Sequence, residues 1–361
     1  MNDASLSFLK RLLDVPSPSG FEEPAQAIWS DEVRQFVPDI RRGVHGDVYA
    51  VLPGRGAGLS VALMGHADEI GLIVRFISED GLLYVAGIGG VDVTLLPGER
   101  VRFQGLKGEV HGVVGSLAIH LKTAEQRKKS ANDWNGIWVD LGAKSREEAL
   151  TLVAVGTPGV FGGGGFQELP NGRAIARCWD NRIGCFIVAE VLRRLAKDGE
   201  SEVLPTVFGI STAQEEICGR GAQTILHGIN PHFALVYDVT HATDTPDCDK
   251  RRHGDIRLGA GGAITVGVLT NNALTAAVQA CAKRHGIPLQ TEADNGKSST
   301  DADQVSIVRA GIPVAVMGCP LRYMHTASEI AQLSDIDALI DVTVAFLKDL
   351  TEGFPLFAEQ G

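Results

Sequence analysis

The sequence predicts an α/β fold in which helices flank a parallel or mixed sheet and a β-rich segment interrupts the chain. Three observations carry this prediction. After Arg173, apolar strand-like runs alternate with helical stretches of about 10–15 residues, the pattern of successive βα units. Between residues 72 and 165 the texture changes to short β-like runs set between glycines. The 361 residues suffice for about two domains at roughly 100–200 residues each. The expected division is therefore a discontinuous α/β domain, 1–71 and 166–361, with an insert at 72–165.

The chain opens with a helix whose apolar face holds Leu6, Leu9, Leu12 and Leu13, ended by Pro16 and Pro18. A second helix is expected from Glu22 towards Val37, then strands at 47–52, 60–64 and 71–76. Within the insert, strands are expected at 82–86, 100–103, 109–114 and 136–140. A helix there starts at Ser145, where Glu148 three residues on completes a capping box. The run Gly162–Gly165 reads as a mobile junction, since no Lys-Ser/Thr follows to make it a phosphate cradle. Beyond it come a helix at 182–197, strands at 203–210, 233–237 and 314–317, and helices at 273–284 and 336–350.

Composition narrows the function. The chain has 33 Lys+Arg against 44 Asp+Glu, a formal charge of −11, which is unsuited to a phosphate-binding surface, so no nucleic-acid partner is expected. Its 44% hydrophobic and 21% charged residues are those of a folded globular protein. The N-terminal stretch lacks the apolar core and small-residue cleavage site of a signal peptide, and no apolar run reaches the ~18 residues of a membrane span. The six cysteines show no C-x-x-C spacing, which points to reduced, mostly buried thiols in a cytoplasmic protein. Glycine is in excess: 43 residues, about 12% against a usual ~7%.

Chemistry-bearing residues fall in five islands. Gly65-His66-Ala67-Asp68-Glu69 follows an apolar strand, and on an extended chain residues 66 and 68 point the same way, so Asp68 could orient the His66 ring. Cys178-Trp179-Asp180-Asn181-Arg182 opens a helix, where Asp180 could also be a cap. Gln214-Glu215-Glu216 puts two adjacent carboxylates just beyond an apolar strand, a costly place unless a cation receives them. Tyr237-Asp238-Val239-Thr240 ends another such strand, and Arg322-Tyr323-Met324-His325 through Glu329 follows a third. Each island alone has a structural reading. Together they place imidazoles and carboxylates at successive strand ends, where open α/β sheets bind ligands, as a site for two divalent metals requires.

The chain resembles the TET-type aminopeptidases, the tetrahedral dodecameric enzymes of metallopeptidase family forty-two. HADEIG at 66–71, WDNRIG at 179–184, QEEICGRGA at 214–222, YDVT at 237–240 and RYMH at 322–325 carry the resemblance, with GIWVDLGAKSREEA at 136–149 and STDAD at 299–303. It implies a mixed-sheet, three-layer αβα co-catalytic metallopeptidase domain, with a PDZ-like insert that serves oligomerisation. It also implies that His66 and Asp238 bind one metal, that Glu216 and His325 bind the other, and that Asp180 bridges both. Glu215 would be the general base, Asp68 would orient His66, and a cis peptide would follow Asp180. The metals implied are zinc or cobalt, with manganese also compatible, the substrates are peptides attacked at the N-terminus, and the assembly is a homododecamer.

The same scaffold would also serve a binuclear deacylase or carboxypeptidase, or a noncatalytic assembly protein. A glycosidase is disfavoured because neighbours on an extended chain, Glu215 and Glu216, face opposite ways. Gly296-Lys297-Ser298 is no Walker A loop, since Thr291 stands where glycine is required. The ligand-rich stretch 241–253 reads as a loop of the substrate pocket more readily than as a metal site, given Lys250, Arg251 and Arg252.

Overall fold

The computed structural model describes residues 1–56, 58–128, 133–197, 200–201, 203–351 and 354. Among them, an eleven-stranded mixed sheet carries helices on both faces, and a closed six-stranded barrel interrupts it. The chain leaves the sheet after Ser60–His66, builds the barrel from Gly71–Ile77 to Pro158–Phe161, and returns at Gln167–Leu169.

The middle of the sheet is parallel, in the spatial order Thr206–Thr212, Ser60–His66, Phe233–His241 and Val314–Arg322. These strands read as almost unbroken apolar runs because both of their faces are covered. On Ser60–His66, Val61 and Leu63 enter a core with Phe186, Leu235 and Met317. The alternate residues Ala62 and Met64 enter a second core with Ile210, Leu226 and Val236. Helices Asp3–Asp14, Glu23–Val33, Trp179–Leu195, Asn272–His285 and Leu333–Asp349 cover the first face, and Arg220–Ile229 and Ala302–Val305 the second. Among the described residues, no helix is long and apolar enough to cross a membrane.

Several boundaries differ from expectation. The second helix stops at Val33, because the chain tightens into turns with Phe36 N–H bonding the Val33 carbonyl, and Pro38 has no N–H to continue. Asp180 does not cap its helix: residues 180 and 181 are non-helical, and the Asn181 side chain accepts the Gly184 N–H instead. Pattern reading missed strands Gly262–Gly267, Leu289–Asp294 and Glu329–Gln332. Leu289–Asp294 has no fully buried residue, so it lacks the apolar signature. The Ser145 cap forms, with Ser145 Oγ accepting the Glu148 N–H at 3.3 Å, but the returning Glu148 carboxylate takes the Lys144 N–H instead. Cys178, Cys185, Cys281 and Cys319 are buried as expected, whereas Cys218 is exposed.

One ion network locks the carboxyl edge of the parallel strands to the N-terminal helix. Glu69 is buried, lies 2.6 Å from Arg182 Nη2, and pairs also with Arg177. Arg182 donates to the carbonyls of Ala67, Leu12 and Val15, so a single guanidinium joins the end of strand Ser60–His66 to the end of helix Asp3–Asp14. A buried charge is tolerable with this many partners.

Strand and helix touch backbone to backbone at Gly65, where a Cβ would sit 2.3 Å from the Gly184 carbonyl carbon. Gly65→Ala is expected to destabilise the protein by about 1–3 kcal/mol through overpacking. Gly228→Ala, in a helix with nothing within 4 Å of the added methyl, should stabilise it by about 0.5–1 kcal/mol. Denaturant unfolding of both variants reads the opposite signs.

Candidate metal centre

The five islands converge at the carboxyl edge of the parallel strands. His66 is the last residue of its strand, and Glu215 and Glu216 lie in the turn after Thr206–Thr212. Asp238 lies on Phe233–His241 two residues past its pairing with Ser60–His66, and His325 follows Val314–Arg322. Asp180 enters from the start of helix Trp179–Leu195. The peptide bond after it is cis, as the resemblance implied. Asn181 fixes this segment, donating 2.7 Å to the Tyr237 carbonyl and accepting the Gly184 N–H at 2.9 Å.

Asp180 is the hub. Its Oδ1 is 3.2 Å from His66 Nε2 and its Oδ2 is 3.2 Å from His325 Nε2. His66 Nε2 also faces Glu215 Oε2 at 3.6 Å and Asp238 Oδ1 at 4.0 Å, while His325 Nε2 faces Glu216 Oε1 at 3.5 Å. The result is two sets of potential ligand atoms, His66–Asp180–Asp238 and Asp180–Glu216–His325, each gathered within 4.8 Å and sharing Asp180. The stretch 241–253 forms no such set among the described residues: Asp244 pairs with Arg322 and Asp249 with Arg251, while His241 lines the cavity.

The other ring nitrogens are occupied, which aims the Nε2 atoms inward. His66 Nδ1 lies 3.1 Å from the Asp68 backbone carbonyl and 3.4 Å from its carboxylate, so Asp68 faces the ring with its backbone as well as with the expected side chain. The Asp68 carboxylate also accepts the N–H groups of Glu215 at 3.1 Å and Glu216 at 3.0 Å. His325 Nδ1 lies 3.1 Å from the carbonyl of Gly90, which the insert supplies. A Cβ on Gly90 would come within 2.9 Å of that nitrogen, so only glycine allows the approach.

Glu215 and Glu216 both line one cavity of about 780 Å³ together with His66, Asp180, Asp238 and His325. The expectation that they face opposite ways fails because the chain is not extended there. Gln214 adopts φ +61°, and the carbonyls of Gln214 and Glu215 accept N–H groups from Cys218 and Gly219, which closes a turn.

Electrostatics show that these acids lack cations. Burial pushes Glu215 up to about 10, reinforced by Asp238, Asp301 and Asp68. Burial also raises Glu216 and lifts Asp238 well above the ordinary carboxylate range. Burial opposes the anion at Asp180 too, but hydrogen bonds from His325 and His66 hold that group below its usual value. Asp180 and Glu216 beside His325 push its imidazole up to about 11. Glu216 Oε1 is buried without a hydrogen bond. An orphaned buried oxygen, two aimed imidazoles and carboxylates with too few counter-charges fit divalent metal ions of hard to borderline character.

Sequence reasoning quoted Glu329 without giving it a role. It is 2% exposed and accepts the Asp180 N–H at 3.2 Å and the His325 N–H at 2.8 Å, and so ties together the two residues of the Asp180–His325 contact. Its spacing of four from His325 was the available signal.

The sequence model of the M42 glutamyl aminopeptidase family matches residues 46–342. The lysyl aminopeptidase of Pyrococcus furiosus is 34% identical, over 95% of this chain and 96% of that relative. The crystal structure of a TET aminopeptidase from a marine sediment Thaumarchaeota archaeon superposes with a TM-score of 0.91 at 33% identity, covering 97% of this chain and 98% of its own. The Pyrococcus horikoshii TET1 peptidase gives 0.84 at 28% identity, covering 96% and 100%. With the match spanning both the sheet and the barrel, the chain belongs to the M42 glutamyl aminopeptidase family and is a peptide hydrolase of the aminopeptidase type.

Proposed function

We propose that the chain removes N-terminal residues from peptides using two divalent metal ions, one held by His66 and Asp238 and the other by Glu216 and His325, with Asp180 spanning both. The observation that supports this most is the Asp180 carboxylate, which offers one oxygen to each imidazole. Zinc and cobalt suit a donor set of imidazole and carboxylate, and manganese is compatible. Bound there, the ions supply Lewis-acid polarisation of the scissile carbonyl and lower the pKa of a water molecule.

Glu215 is the general base in this reading. Its carboxylate takes a proton from the attacking water and passes it to the departing amine. Its carboxylate lines the cavity 3.6 Å from His66 Nε2 and belongs to neither set of ligand atoms, a place that leaves it free to handle a proton. The Asp68 carboxylate accepts the Glu215 N–H, and Asp68 faces the His66 ring with both its backbone carbonyl and its carboxylate. The cavity wall beyond the metal ligands carries Glu292, Asp294 and Asp303 together with Lys297, so it offers charged groups of both signs to a peptide.

The domain division at 72–165, with the barrel as a PDZ-like assembly module, belongs to the same proposal. Leu106, Ile119 and Leu121 stand 60%, 56% and 72% exposed on it, apolar surface suited to other copies of the chain. The Pyrococcus horikoshii relative is described as assembling into a tetrahedron or a large octahedral shell, and we read this chain as a cytoplasmic homododecamer on that analogy.

Glu215→Gln should lower kcat on aminoacyl-anilides by about 10²–10⁴-fold while elemental analysis still finds both metals; near-normal turnover would remove Glu215 from the role. Chelation should abolish activity, and readdition of zinc, cobalt or manganese should restore it. His66→Ala and His325→Ala should each lose about one metal equivalent per chain; unchanged metal content would refute the ligand assignment. Light scattering should give a mass of about twelve times 38.3 kDa, and a mass near one protomer would rule out the assembly.

A further inference from the structure

The turn that carries Glu215 and Glu216 is held by acids in an unusual way. Four consecutive N–H groups, those of residues 213–216, each donate to a carboxylate. Ala213 donates to Asp47 Oδ1 at 3.0 Å and Gln214 to Glu22 Oε1 at 3.1 Å, and Asp68 takes Glu215 and Glu216 at 3.1 and 3.0 Å. Glu22, Asp47 and Asp68 are 4%, 0% and 0% exposed. None of the three comes from the element that carries the turn: Glu22 precedes helix Glu23–Val33, Asp47 precedes strand Val48–Leu52, and Asp68 follows Ser60–His66.

A turn needs only ordinary acceptors, such as carbonyls or water, to satisfy four N–H groups. Burying three carboxylates for that purpose is expensive. Burial pushes Glu22 up to about 7 and Asp47 up to about 6, and Asp47 Oδ2 has no hydrogen-bond partner. The return is precision, because each N–H is held by an acceptor anchored in a different part of the fold. Neither Glu22 nor Asp47 lines the cavity. Yet with Asp68 they pin each peptide unit from Ala213 to Glu216, and with it the direction in which the two glutamate side chains leave the backbone.

We propose that Glu22 and Asp47 are positioning residues of the peptidase reaction, completing with Asp68 a carboxylate clamp that sets where Glu215 and Glu216 stand. The inference rests on the reading of Glu215 as base and Glu216 as ligand. Displacing a reacting group by about 1 Å can cost on the order of 10²-fold in rate, so the clamp can matter without touching substrate.

The test uses the metal-loaded full chain. Asp47→Ala and Glu22→Ala are expected to lower kcat by about 10–100-fold, with KM within about twofold and metal content unchanged. Hydrogen exchange of a peptide covering 213–216 should become faster in both variants, with or without metal. Asp47→Asn and Glu22→Gln keep an accepting oxygen and should recover most of the lost kcat and protection. The proposal falls if the alanine variants turn over normally. It also falls if their loss tracks metal content or folded fraction, or if the amide variants are as poor as alanine. Faster exchange in an enzyme whose Glu215→Gln form is still active would convict the base assignment instead, since the clamp is read from exchange independently of Glu215.

Discussion

Carboxylates held out of water govern this structure. The parallel strands end in acids, and their cores on both sides leave little solvent to stabilise negative charge. Each acid must therefore find an imidazole, a guanidinium, a run of N–H groups or a metal ion. Glu69 finds Arg177 and Arg182, and becomes a structural rivet. Asp68 finds two N–H groups and a histidine, and so keeps its charge, below the usual carboxylate range despite burial. Asp238 and Glu216 find too little, and burial drives both upward. That difference separates scaffold from candidate site: the under-compensated acids are the ones gathered with the two imidazoles around Asp180.

The same cost explains what could be read in the sequence. His66 and Asp238 stand out because an apolar strand ending in an ionisable residue is conspicuous, and Glu215–Glu216 because two acids follow such a strand. Gly90 was not legible: its carbonyl meets a histidine 235 positions away, and nothing local announces a contact made through backbone. Asp47 and Glu22 lie in polar segments where acids are ordinary, so only the fold reveals what they hold. The alternation rule misjudged Glu215 and Glu216 because it presumes extended chain, and a left-handed Gln214 had already turned it. Likewise the interior parallel strands were legible from their apolar runs, while Leu289–Asp294 at the sheet margin was not.

The barrel is more closely tied to the chemistry than its separate core suggests. Its own apolar interior, with Leu72, Val101, Phe103 and Val139, makes it a self-contained packing unit. Arg102 and Gln104 nevertheless bond the carbonyls of Asp14 and Pro16, at the end of the first helix, and Arg102 also lies 3.6 Å from the Asp14 carboxylate. The glycine run at 162–165, expected as a free junction, begins with Gly162 donating to the Arg100 carbonyl and lying against Ala327. The Gly90 carbonyl then holds His325. Swinging the barrel about its glycines would break its bonds to Asp14, Pro16 and His325 together and release an imidazole of the candidate site. Whatever fixes the barrel therefore also fixes His325. An assembly that immobilised the barrels would bear directly on the geometry of the candidate site, because one imidazole takes its orientation from a carbonyl that the barrel segment supplies.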